Sequence, residues 1–152
     1  MTSSVEQHDA RQPALKNVRL EIASDLARAD EEMLVLESML REVGRGEDEA
    51  FRMALAFKEA VVNAIKYGNG SVIAVQLDID AHHCTISVEN ESDTPLVIQD
   101  VPDPTSPEGL EKSSGRGLLF MQAYFDEVRS ERYNRDGKQG NRVILTKTFA
   151  ER

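Results

Sequence analysis

The run Glu59-Ala60-Val61-Val62-Asn63-Ala64-Ile65-Lys66-Tyr67-Gly68-Asn69 closes a longer amphipathic segment. From about Glu47 to Tyr67, the apolar residues Phe51, Ala54, Leu55, Val61, Val62 and Ile65 recur at helical spacing. Gly68-Asn69-Gly70 then breaks the pattern, so the spacing predicts a helix that stops there. Glu59, Asn63 and Lys66 stand at i, i+4 and i+7, which puts them on one stripe of that helix. A carboxylate can orient or deprotonate a nucleophile. An amide oxygen can ligate a hard cation, and an ammonium can touch a phosphate. By spacing alone the stripe reads equally as a solvated helix face with weak ionic pairs, the commoner case.

Outward from this helix the periods change. Val18, Leu20 and Ile22 alternate with charged neighbours, a strand signal. Ser24 can cap a helix whose apolar face is Met33, Leu36, Leu40 and Val43, ended by Gly44 and Gly46. Beyond Gly70, Ile73, Val75, Leu77 and Ile79, then Cys84, Ile86 and Val88, alternate on either side of His82 and predict an antiparallel hairpin buried on one face. From Glu91 to Ser114 the pattern fails, with Pro95, Pro102, Pro104 and Pro107 among several acids, and a long functional loop is expected. A helix is expected from Gly117 to about Phe125, then strands near Glu127–Tyr133 and Arg142–Phe149, joined by Asn134-Arg135-Asp136-Gly137. This order predicts an α+β two-layer sandwich, a mixed and mainly antiparallel sheet with helices on one face. A flexible tail over residues 1–16 and a single domain over 17–152 are expected.

The run from Glu59 to Asn69 resembles the N-box of the gyrase, Hsp90 and histidine-kinase ATPase superfamily, and within it the anti-sigma-factor serine kinases of bacterial partner-switching systems. Their pattern reads Glu-Ala-x-x-Asn-Ala-x-x-His-Gly-Asn, with Tyr67 here at the His position. A second segment, Gly115 to Val128, resembles the family's Gly-x-Gly-x-x-x-Met-x-x-x-x-Asp-x-Val box through Gly115, Gly117, Met121, Asp126 and Val128. The resemblance spans about Val18 to Phe149. It implies the Bergerat-type ATPase fold, with ATP and Mg²⁺ as cofactors. It also implies that Glu59 is the catalytic base and that Asn63 holds Mg²⁺. Gly115, Arg116 and Gly117 would hold phosphates, since backbone N–H groups at a helix start and the helix dipole favour anions. Lys66 would join the nucleotide site, matching a basic position of the histidine kinases. The implied activity is phosphorylation of a Ser or Thr on a small STAS-type anti-sigma-factor antagonist, alongside binding of a sigma factor, with a possible homodimer.

One box departs from the pattern. Where the family has Asp-x-Gly-x-Gly, this chain has Asn90-Glu91-Ser92-Asp93-Thr94. Strand alternation points Asn90 inward. Its amide oxygen can accept from adenine, but without the charge assistance of a carboxylate. An amide also donates, so purine selectivity is expected to relax. As a turn residue after a strand, Asn90 needs no ligand at all. Two functions therefore stay open, a protein kinase and a partner-binding module with weak or lost nucleotide binding. A histidine kinase is disfavoured, because the polar segment before Val18 has no room for a helical hairpin bearing an acceptor His.

Composition narrows the field. With 27 acidic against 18 basic residues, the formal charge of −9 argues against a nucleic-acid backbone as partner. No stretch reaches the roughly 20 apolar residues of a membrane span. The single cysteine, Cys84, has no internal partner, which points to a reducing, cytoplasmic setting. His82, His83 and Cys84 alternate across a strand, which does not favour a shared metal.

Overall fold

The computed structural model describes residues 16–70, 72–96 and 113–150. The elements follow as β1 (Lys16–Ala23), α1 (Leu26–Glu42), α2 (Glu47–Tyr67), β2 (Val72–Ile79), β3 (His83–Glu91), α3 (Ser113–Tyr124), β4 (Glu127–Arg135) and β5 (Lys138–Thr148). The five strands form one sheet in the order β1-β2-β3-β5-β4, and every neighbouring pair is antiparallel. The sheet is thus wholly antiparallel, where a mixed one was allowed. The order follows from the connections: two tight hairpins, β2–β3 and β4–β5, lie side by side and β1 adds to the free edge of β2.

Alternation decides which face is core. Ile22, Ile73, Val75, Leu77, Ile79, Cys84, Ile86, Val88, Val143 and Leu145 are buried on the face that meets the helices. In the layer above, α1 lies over β1, α2 over β2 and β3, and α3 over β4, with α2 packed between the other two helices. Phe57, Met53, Leu36, Leu40 and Met121 fill the space between the layers and are almost fully buried. Met121 and Phe125, matched to the second glycine box, are core residues at 1% and 4% exposure.

Local chemistry sets the boundaries. Asp25, not Ser24, caps α1: its Oδ1 accepts from Ala27 N at 3.0 Å. At the other end Gly44 takes φ +93°, and the bonds Gly44 N to Arg41 O and Arg45 N to Leu40 O make a Schellman close. Three acids, Glu47, Asp48 and Glu49, occupy the first turn of α2, where the helix dipole favours them. Asp136 and Gly137 both have positive φ (55° and 82°), the two-residue turn that matches strand twist. The strand β1 already includes Lys16, one residue before the expected boundary; residues 1–15 lie outside the described residues, as do 97–112 of the proline-rich stretch.

Two ends of the sandwich can be told apart. Arg45, just before α2, lies 4.3 Å over the Phe149 ring, at the Thr148 end of the sheet. The other end of α2 meets β3: Asn69 N donates to Glu91 O at 2.8 Å. The residue after α3 and its successor, Phe125 and Asp126, return to the Thr148 end, where Asp126 Oδ2 accepts from Thr148 N at 2.7 Å. Arg52, early in α2, sits 5.9 Å over the ring of Tyr124, the last residue of α3. So α3 runs antiparallel to α2, and its first turn stands at the end of the sheet where Asn90 is found.

The face of the sheet away from the described helices carries its own network. Glu89, 8% exposed, receives Arg135 at 3.1 Å and Arg142 at 2.7 Å, and Arg142 also reaches Glu131 at 2.6 Å. Burial alone would raise the Glu89 pKa, but hydrogen bonds from both arginines outweigh it and hold the carboxyl below its usual range. Its contribution is therefore full above the unfolded-state carboxylate range and is lost as pH falls through the lowered folded-state value. Glu89→Gln should cost about 1–2 kcal/mol at pH 7, as for a charged hydrogen-bonded group, and the loss should vanish toward acid pH. Urea unfolding of both proteins at neutral and acid pH checks this; an equal loss at every pH would mean packing, not charge, is responsible.

Candidate functional site

The stripe on α2 is formed as the spacing implies. Glu59 and Asn63 are half-buried and Lys66 is exposed. Glu59 lies two turns beyond Arg52, which reaches Tyr124, so by helical period the stripe is on the flank toward α3. None of the three makes a side-chain hydrogen bond or ion pair with a described residue. The neighbouring Lys58, by contrast, is paired with Asp30 at 2.6 Å. A half-buried amide and carboxylate with no partner among the described residues are suited to a polar ligand, because burying them without one costs free energy.

The floor of this end is Asn90, at 7% exposure the last inward residue of β3. Its Nδ2 donates to Ala64 O at 3.3 Å. The assignment of N and O follows from chemistry, since a carbonyl only accepts. Gly68 N also donates to Ala64 O, at 3.1 Å, so both lone pairs of that helix-terminal carbonyl are used. No described residue donates to Asn90 Oδ1, and no buried side-chain polar atom among the described residues lacks a partner. Oδ1 therefore keeps access to solvent as an acceptor. The donor half of the amide is thus engaged within the protein, which leaves the acceptor half for a ligand.

The glycine replacements are explained by where they bind. The Ser92 hydroxyl lies 3.2 Å from both Tyr67 O and Thr94 O, to one of which it donates, and it accepts from Thr94 N at 3.2 Å. Ser92 N donates to Gln139 O at 3.0 Å. Asn69 Nδ2 approaches Asp93 Oδ2 at 3.5 Å. The turn after β3 is thus tied to the C-terminus of α2 on one side and to β5 on the other. An Asn90→Asp variant, which restores the family's carboxylate, would lose its donor and face the Ala64 carbonyl with negative charge. It should lower stability by about 1–2 kcal/mol, the cost of an unmatched buried acceptor, rather than raise it. Chemical denaturation measures this, and a gain in stability would show that the carboxylate turns outward.

The second glycine box needs a correction. The helix was expected to start at Gly117, but α3 already begins at Ser113 and takes in Gly115 as well. Gly115 is the third helical residue, so its N–H belongs to the unpaired first turn. Gly117 is the fifth, and its N–H is in register to reach the carbonyl of Ser113 instead. The amide donors that α3 offers an anion are therefore those of its first turn. The side chain of Arg116 lies outside the described residues. Asp126, matched to the same box, works structurally: its carboxylate accepts from Thr148 N and meets Lys147 at 3.4 Å, which pins the start of β4 against β5.

Other candidates are structural. Cys84 is buried in β3, and burial pushes its thiol pKa up to about 12, so it is not a nucleophile. The Asp80 carboxylate accepts from the backbone N–H of His82 and His83 and shapes the β2–β3 turn. No described helix is long and apolar enough to cross a membrane. Sequence reasoning missed Arg132 and Asn141, whose contacts join residues far apart in the chain; Ser92 and Thr94, which they hold, were marked in advance by standing where glycines were expected.

Comparison with known proteins agrees with this fold. Residues 22–147 match the profile of the histidine kinase-like ATPase domain. An anti-sigma F factor of Clostridium novyi (strain NT) is 35% identical over 101 residues, which is 60% of this chain and 66% of that protein's length. The structure of the SiaB–SiaC complex from Pseudomonas aeruginosa contains a chain that superposes with a TM-score of 0.64 at 18% identity, over 96% of this chain and 98% of that one, a likeness of fold. With the profile covering most of the chain, from β1 through β5, the protein belongs to the histidine kinase-like ATPase domain family.

Proposed function

We propose that this protein is an ATP-binding anti-sigma factor and serine/threonine protein kinase of a partner-switching system, which phosphorylates a small STAS-type antagonist and binds a sigma factor. One observation carries the reading: half-buried Glu59 and Asn63, unpartnered among the described residues, stand beside the first turn of α3 at the same end of the sheet as the solvent-facing Oδ1 of Asn90. A nucleotide laid across that end would place its base at Asn90 and its phosphates at α3. The Asn90 oxygen accepts from the adenine amino group. Asn63 Oδ1 is the ligand for Mg²⁺, which when bound offsets phosphate charge. The first-turn amides of α3, with Arg116 and Lys66, hold the phosphates. Glu59 takes the proton of the attacking Ser or Thr hydroxyl. The resemblance to an anti-sigma F factor supports the partner class. The acidic balance of the chain suits a protein partner with basic surface. The reading places the work in the cytoplasm, with the ATPase domain from about residue 17 onward as a single unit and a homodimer as its assembly.

A second reading, a binding module that has lost nucleotide, is favoured by one feature. Ser92 fills a glycine position and ties the turn to Tyr67 O. Calorimetric titration with Mg²⁺-ATP separates the two. Binding in the micromolar range, weakened tenfold or more by Asn63→Ala, about 1.4 kcal/mol for each decade, is the expected outcome. No heat at millimolar ATP leaves the binding module.

A further inference from the structure

The backbone of the segment from Ser92 to Leu96 is hydrogen-bonded at both ends and in the middle, and most of its partners come from β4 and β5. Arg132 Nη1 donates to Ser92 O at 2.9 Å and to Asn141 Oδ1 at 3.0 Å, and Nη2 donates to Gln139 Oε1 at 3.0 Å. Asn141, 5% exposed, accepts from Leu96 N at 3.3 Å and donates to Thr94 O at 2.9 Å. Ser130 Oγ donates to Leu96 O at 2.8 Å. Leu96 itself packs on the core. Asn141 thus has both its amide oxygen and its amide nitrogen committed to one short stretch of chain, which also includes the Ser92 that braces Tyr67.

These contacts do for the backbone what glycines cannot. A Gly-rich turn adapts to its ligand and loses more conformational freedom on ordering. Here Ser92 and Thr94 restrict that freedom, and a planar guanidinium with a buried amide fixes the remaining path. Asn90 is two residues from the clamped Ser92 carbonyl, and it pairs directly with Asn141 across the sheet. Any loosening of Arg132 or Asn141 therefore reaches the acceptor of Asn90 by a short path along the strand and across the ladder.

We propose that Arg132 and Asn141 are positioning residues of the nucleotide site, which form its base-reading end before a ligand arrives. This rests on the nucleotide-binding reading above and adds to it two residues outside the three sequence boxes. Neither residue touches the nucleotide. They act through the segment that they hold, so they matter for the base and not for the phosphates. Preorganisation of this kind lowers the ordering cost of binding.

The test compares Mg²⁺-ATP with Mg²⁺-tripolyphosphate, which has the phosphates and no base, by calorimetry on the full chain. Arg132→Ala should weaken ATP about tenfold, the worth of one charged hydrogen bond, and leave tripolyphosphate binding where it was. Arg132→Lys, which keeps the charge and loses the fork, should fall between. Arg132 is exposed, so the fold should persist; Ser130→Ala removes only the Leu96 O bond and gives a milder second variant. In the wild type, hydrogen exchange should show a protected Leu96 amide that opens in Arg132→Ala. Equal losses for both ligands, or none, would overturn the proposal. Wild-type protein that binds tripolyphosphate but not ATP would overturn it too, since no base would be read. Wild-type protein that binds neither ligand defeats the nucleotide reading itself, and this inference falls with it.

Discussion

Glu59→Gln is expected to reduce phosphotransfer to an antagonist protein by about 10²–10⁴-fold while leaving ATP affinity nearly unchanged. The substitution keeps size and hydrogen-bonding capacity and removes only the ability to take a proton. Glu59 makes no ion pair among the described residues, so neutralising it breaks no described contact and should not unfold α2. The contrast with Asn63→Ala is the informative part. Asn63 stands one turn nearer the C-terminus of α2 on the same flank, and its loss should weaken Mg²⁺-ATP binding itself. A base and a metal ligand therefore separate cleanly: one variant binds without transfer, the other transfers poorly because it binds poorly. Single-turnover transfer of labelled phosphate, with calorimetric affinities of both variants, reads the difference. If Glu59→Gln transfers phosphate at the wild-type rate, the base assignment is wrong and the half-buried carboxylate serves packing or partner contact.

Much of this site was legible in the chain because its main stripe is local. Glu59, Asn63 and Lys66 share a helix face by period alone, and the hairpin Val72–Ile79 and His83–Glu91 showed its buried face by strict alternation. The family boxes supplied roles that spacing could not. What spacing missed is of two kinds. Boundaries shifted where neighbouring residues can each fill the same position. Asp25 rather than Ser24 caps α1, and α3 begins at Ser113 rather than at Gly117. Long-range contacts left no local trace at all. Arg132 and Asn141 lie in strands of ordinary polar composition, and nothing near them in sequence points to Ser92 or Leu96, which are brought close only when β5 pairs with β3. Asn90 shows both kinds at once. Its inward direction was readable from Ile86 and Val88, whereas the donation of its Nδ2 to Ala64 O depends on how the end of α2 crosses the sheet.

That crossing leads to the largest expected effect on stability. Gly68→Ala should destabilise the protein by about 3 kcal/mol, at the upper end for overpacking a tight site. A Cβ at Gly68 would lie 2.5 Å from Asn90 Nδ2, 2.6 Å from Ala64 O and 3.2 Å from Glu91 O. The glycine is not needed for its dihedrals, since φ −92° and ψ 161° suit any residue. It is needed because three groups of the site meet where a side chain would stand, and two of them are backbone carbonyls that cannot turn aside. Relief requires lifting the end of α2 from β3, which breaks the Asn90–Ala64 hydrogen bond and displaces the acceptor proposed for the base. The melting temperature should therefore fall by about 6–12 °C for a chain of this size. ATP affinity should fall with it, while tripolyphosphate affinity should hold in the fraction that stays folded. Gly70→Ala is the control: the atoms nearest its Cβ would all belong to the Glu91 side chain, the closest being Cβ at 3.1 Å, which has to give by only a few tenths of an ångström, so the cost should stay below about 1 kcal/mol. Equal shifts for the two variants would mean that the turn as a whole is intolerant of side chains. A large shift at Gly68 alone means that the close approach of α2 to β3, which seats Asn90, is the constraint that this glycine serves.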